Sequence, residues 1–339
     1  MPGISRSLLL LTVAMGGFAV VGCGGEGGGG AVTPAPTPSP SPVPTPSPAP
    51  TPGTSVNDTA EYRASEGAVS MKALTAYDRG FTGAGVKMAV VDTGIDLEST
   101  EFTGRLDPAS ADLAGNGTLD DINGHGTAVA TLAAAKRDGV GGHGVAFDAT
   151  IVAFRVDLPG TCAGAGGCIY GLDAVALAID RAREAGARVI NLSMIADIPP
   201  RATMLAAVDR ATAAGIVITI CAGNEGASEP QTLAAALAAD PVAREQVLIV
   251  GAVGGGDVTG ASSNRAGDSA AHFITTTAGS CSAATPLASG ALALLAQANP
   301  TKTGAQLLAL LYASARDVGA TGQDRVYGRG VVDLTRAFP

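Results

Sequence analysis

Five short runs govern what this chain can fold into: VKMAVVD (86–92), ATIVAFRV (149–156), ARVINLS (187–193), GIVITICAG (215–223) and QVLIVGAV (246–253). Each is rich in β-branched residues and none alternates apolar with polar, which is the pattern of strands buried on both faces. Between and after them, residues 127–136, 172–185, 202–214, 231–239, 284–298 and 304–315 carry apolar side chains at helical spacing. Buried strands alternating with helices predict an α/β fold, a mostly parallel central sheet with helices on both faces. No internal repeat is apparent, and the alternation reads as one domain over 57–339. Trp is absent and aromatics make up only 4% of the chain, against 47 glycines, so the core must be built by close approach of backbones and small side chains. The net charge of -9, with no basic cluster, argues against a nucleic-acid partner.

The first 22 residues hold one Arg, an apolar stretch from Leu8 to Val21 and then Gly22. That is an export signal, too short for a comfortable membrane span. Its ending, Val20-Val21-Gly22-Cys23, resembles the lipobox of bacterial lipoproteins, in which the cysteine becomes the lipidated first residue. The resemblance implies a lipid anchor on Cys23 and a place in the bacterial cell envelope, periplasmic or at the cell surface. From Cys23 to residue 56 the sequence is Gly-rich and then carries proline at every second position from Pro34 to Pro52. Such a segment lacks backbone donors at half its positions and has nothing to bury, so it reads as an extended tether of roughly 60 Å. With only this tether before the domain, the domain is expected to fold without an inhibitory propeptide.

Four stretches can carry chemistry, because active sites in parallel sheets gather beyond the carboxyl ends of the strands. In AVVDTGID, Asp92 closes a buried strand, where a carboxylate needs a partner or caps a turn. In NGHGTAVATLAAA, His125 stands between two glycines at the mouth of an Ala-rich helix, as a base or as a cap. His143 and His272, the other two histidines, read as structural or surface residues. In ITICAGNEG, Asn224 follows a buried strand; its amide can serve a turn or donate to a developing oxyanion. In GSCSAATPLASG, Ser282 sits at the start of a small-residue helix, where free backbone N–H groups favour negative charge and where a serine is also a good N-cap.

Taken together, VVDTGID, NGHGTAVA, CAGNEG and SCSAATPLASG resemble the subtilisin-like serine proteases, over about residues 60–339. GVAFDATIVAFRV, AREAGARVINLSM, VGAVGGGDVTGASSNRAG and VYGRGVVDLTRAF agree with it. The resemblance implies a subtilisin-like three-layer fold and a serine endopeptidase. Ser282 would attack a peptide carbonyl, His125 would move the proton, Asp92 would orient the imidazole, and Asn224 with the Ser282 N–H would hold the oxyanion. Substrate would lie extended along the strand edge at Ser193. No cofactor is required; calcium is common in the family, but no metal site can be placed, since the acidic loop DPASADLAGNGTLDD lacks EF-hand spacing. A monomer acting on protein or peptide is expected.

Three departures stand out. Ser280-Cys281 replaces the Gly-Thr that precedes the nucleophile in the family, the connection from HFITTTAG to Ser282 is short, and Ile195-Ala196 replaces a Gly-Gly that would leave the cleft open. They keep a rival in view, a subtilisin-like domain that has lost turnover and binds or scaffolds. An esterase is disfavoured by the lack of a Gly-x-Ser-x-Gly elbow, and Cys281 as nucleophile by the register of the residues that follow. Cys162 and Cys168 bracket a small loop and can close it as a disulfide; Cys221 and Cys281 would be near one another, as a second disulfide or as buried thiols.

Overall fold

The computed structural model describes residues 55–162 and 167–338. The signal segment, Cys23 and the tether up to residue 54 lie outside the described residues.

The five apolar runs form β1 (Lys87–Asp92), β3 (Thr150–Arg155), β4 (Val189–Leu192), β5 (Val217–Cys221) and β6 (Val247–Val253). Two further strands, β2 (Ala111–Asp112) and β7 (Phe273–Thr277), extend the sheet at its edges, in the order β2-β3-β1-β4-β5-β6-β7 with every neighbouring pair parallel. Three short helices, α1 (Ala60–Ala64), α2 (Glu66–Ser70) and α3 (Leu74–Tyr77), precede β1. The longer ones are α4 (His125–Ala134), α5 (Leu172–Glu184), α6 (Ala202–Ala213), α7 (Thr232–Ala239), α8 (Cys281–Ala298) and α9 (Gly304–Ser314).

Each central strand divides its side chains between two cores because successive residues point to opposite faces. Met88 and Val90 belong to the core shared with α4, α8 and α9, whereas Ala89 and Val91 belong to the core shared with α5, α6 and α7. Alanines at Ala130, Ala133, Ala288 and Ala291 are fully buried, which lets helix and sheet backbones approach closely. The observed architecture is the α/β arrangement expected of the sequence, with helices on both faces of a parallel sheet. Its parallel order brings the ends of β1, β4 and β5 and the start of α8 to one edge of the sheet.

The sequence reading starts the penultimate helix at residue 284, with Pro286 in its opening turn. In the structure α8 begins three residues earlier, at Cys281, and Pro286 lies inside it. A proline there has no N–H for the carbonyl four residues back, which belongs to Ser282. The Ser193 hydroxyl fills the gap, donating to the Ser282 carbonyl at 3.0 Å. The N-cap is Ser280 and not Ser282, its side chain accepting from the Ala283 N–H.

Candidate active site

Asp92 is the last residue of β1 and is completely buried. Its Oδ1 lies 2.7 Å from Nδ1 of His125, the first residue of α4. Oδ1 also accepts the Thr93 N–H at 2.8 Å and the Tyr170 hydroxyl at 3.1 Å. With Nδ1 bound to the carboxylate, the neutral imidazole carries its proton there and presents Nε2 as the acceptor. The Asp92 hydrogen bond raises the His125 pKa; burial opposes it, and the charges of Asp92 and Asp121 assist it.

Asp121 laces the end of β1 to the start of α4. Its Oδ1 accepts from the Thr93 hydroxyl and the Gly124 N–H, both at 2.8 Å, and its Oδ2 from the Thr127 N–H at 2.8 Å and the Thr127 hydroxyl at 2.7 Å. The Thr93 hydroxyl in turn accepts the Gly126 N–H at 2.8 Å. These bonds satisfy first-turn amides of α4 and set a carboxylate at the positive end of its dipole. Neither Asp121 nor Thr93 is marked in the sequence, beyond the placing of an Asp four residues before the histidine.

The loop after β5 carries Asn224, whose Oδ1 accepts the Cys281 N–H at 2.9 Å. That bond commits the amide oxygen and leaves the NH₂ end to donate. Gly223, at φ +122°, has no room for a side chain, since a Cβ would lie 2.2 Å from Nδ2 of Asn264. Asn264 in turn braces the loop, its Oδ1 accepting the N–H groups of Glu225 and Ala227 at 3.0 Å each. Cys221 and Cys281 form a disulfide between the end of β5 and the start of α8, with their Cα atoms 5.1 Å apart. Cys162 and Cys168 are also joined, with a Cα separation of 4.2 Å.

Ser282 is the second residue of α8 and is partly exposed. Below it runs a buried polar chain. Asn191 donates to the Ser193 hydroxyl at 2.9 Å and accepts from Ser289 at 2.9 Å, and Ser289 meets the Thr219 hydroxyl at 2.7 Å. The Ser193 side chain therefore faces inward to the helix, and only its backbone remains to meet a substrate. Beyond it Ile195 is 42% exposed on the same edge. No hydrogen bond joins His125 to Ser282 among the described residues, as is common before substrate draws such pairs together.

The carboxylates of the acidic loop are largely engaged by the protein itself. Asp107 pairs with Lys87 at 2.7 Å, and Asp112 accepts N–H groups of Ala114, Gly115 and Gly117. Asp96, Glu98 and Asp120 do converge, within 4.8 Å of one another. Yet Asp96 Oδ1 already accepts the N–H groups of Glu98 and Ser99, and Asp120 Oδ1 that of Leu97.

Residues 83–330 match the family model described as the subtilase family. Subtilisin BL of Lederbergia lenta is 33% identical over 289 residues, covering 80% of this chain and 97% of that protein. Subtilisin Savinase of the same organism is 33% identical over 278 residues, with the same coverages. An extracellular serine protease of Serratia marcescens is 44% identical over 106 residues, 29% of this chain and 10% of that protein.

Proposed function

The chain belongs to the subtilase family of serine endopeptidases, and from that premise we propose that it cleaves peptide bonds with Ser282 as nucleophile, His125 as general base and acid, Asp92 as the orienting carboxylate and Asn224 as oxyanion donor. Its substrates are proteins or peptides, and subtilases act without an organic cofactor. The observation that carries the assignment is the 2.7 Å contact between a completely buried carboxylate and the imidazole at the mouth of α4. A buried charge of that kind is stable only when paired.

His125 Nε2 takes the Ser282 proton as Oγ attacks the carbonyl carbon, and the imidazolium formed is stabilised by Asp92 through Nδ1–H. The new oxyanion is held by the Asn224 amide and a backbone N–H at the start of α8, where the helix dipole favours negative charge. His125 then gives its proton to the leaving amine, and water repeats the sequence to release the acyl group. An extended peptide pairs with the backbone edge at Ser193, and the exposed Ile195 side chain narrows the space beside it. Cys23 carries a lipid that holds the enzyme at the bacterial envelope through the proline tether; Cys23→Ser should then move it from the membrane to the soluble fraction.

The deciding test is labelling of the folded protein with a fluorophosphonate probe, followed by peptide mapping. Modification of Ser282 that is lost in Ser282→Ala supports the assignment. A folded protein left unlabelled overturns it in favour of a binding role.

A further inference from the structure

Three donors converge on one oxygen of Asp92. Oδ1 receives His125 Nδ1 at 2.7 Å, the Thr93 N–H at 2.8 Å and the Tyr170 hydroxyl at 3.1 Å, while Oδ2 is buried without a hydrogen-bond partner among the described residues. The Tyr170 bond is therefore in direct competition with the imidazole for the same lone pairs. Tyr170 arrives on an arm built for placement. Residues 156–158 pair antiparallel with 169–171, through Leu158 N–H to Ile169 O at 2.8 Å and Gly171 N–H to Val156 O at 3.1 Å, and the Cys162–Cys168 disulfide closes the far end.

We propose that Tyr170 is a positioning residue for the Asp92–His125 pair: its hydroxyl shares Oδ1, weakens the carboxylate's hold on the protonated imidazole, and so keeps the base neutral to lower pH than the pair alone would allow. The inference rests on His125 being the general base.

The surroundings permit the hydroxyl only the role of donor. Burial, then the charge of Asp92, pushes the Tyr170 pKa far up, so the phenol keeps its proton throughout the working range. The other charges that face the trio are Asp121 beside His125, Asp157 beside Tyr170, and Arg155, the register partner of Asp92 on β3. Arg155 is held by Asp157 at 2.9 and 3.2 Å, so its charge is already matched. Removing the hydroxyl alone leaves that arrangement and the burial in place. Oδ1 then serves the imidazole with less competition, the imidazolium is favoured, and the His125 midpoint must rise.

The test uses the full chain and its Tyr170→Phe variant, with the His125 ring followed by NMR across pH and kcat/KM measured on a peptide substrate. The expected result is an upward shift of both the His125 midpoint and the acid limb of kcat/KM by about half a pH unit, with the alkaline plateau within about threefold of the parent. A midpoint that is unmoved or lower overturns the proposal. Should the variant not fold, the ring carbon bearing the Tyr170 hydroxyl is followed in the unaltered chain. Its resonance must titrate with the His125 midpoint, and indifference to that titration overturns the proposal equally. A shifted or coupled titration in a chain without peptidase activity supports the hydrogen-bond competition and counts against the assigned reaction alone.

Discussion

Substituting Gly126 by alanine sets two physical effects against each other. Gly126 is the second residue of α4, where alanine is the better helix former by up to about 1 kcal/mol. Packing opposes it. A Cβ at Gly126 would lie 2.4 Å from the Gly94 carbonyl oxygen, 3.1 Å from the Gly94 nitrogen and 3.2 Å from the Asp92 Cβ. These atoms belong to the backbone and to a packed strand end, so α4 must retreat by about 1 Å to reach ordinary contact. The His125–Asp92 separation of 2.7 Å would then exceed hydrogen-bond range, and the Gly126 bond to Thr93, now 2.8 Å, would lengthen with it. A displacement of that size is expected to lower kcat/KM roughly 100-fold, or about 2.7 kcal/mol of transition-state stabilisation. Overpacking of about 1–3 kcal/mol is partly offset by the helix-forming gain, so the melting temperature should fall only modestly. Kinetics on a fluorogenic peptide, read beside a thermal melt, separate the two effects. Activity within about threefold of the parent, in a protein of unchanged melting temperature, would refute the claim that this close approach sets the geometry of the pair.

Asn224→Ala should lower kcat by about 10²–10³-fold with little change in KM, the loss that removing such a donor brings in subtilisin itself; equal effects on kcat and KM would argue for a general disturbance of the loop. His143 supplies a test of stability against pH. It is buried against Tyr77 and Phe147, donates from Nδ1 to the Gly144 carbonyl at 2.8 Å, and has no hydrogen-bond partner at Nε2 among the described residues. Burial lowers its pKa below 6.5, with Arg137 adding to that and the Gly144 bond and Glu61 opposing it. The unfolded chain therefore binds the proton first, and stability falls as pH drops through 6.5, by at most about 1.4 kcal/mol per unit. His143→Phe should lose less stability than the parent between pH 7 and 5 by calorimetry, and parallel losses would remove His143 from the account.

What could be read from the chain and what could not divide by the reach of the interaction. The buried strands announce themselves through β-branched runs, and Asp92, His125, Asn224 and Ser282 through small residues that are their immediate neighbours, because both features are local. Tyr170, 78 positions from the carboxylate it touches, has no such marker. Nor does Asn264, which braces a loop 39 positions away. The start of α8 shows why. From local rules alone Pro286 belongs near a helix opening, and the expected start at residue 284 follows from that. The helix begins at Cys281, capped by Ser280, and runs through Pro286, where a hydroxyl from just after β4, 89 positions before the carbonyl it meets, supplies the donor that proline lacks. The same bond turns Ser193 inward, which the reading of that residue as part of a substrate edge could not anticipate. Local pattern thus reveals which groups stand at the rim of the sheet. The sharing of their lone pairs is decided by partners that only the folded chain brings together.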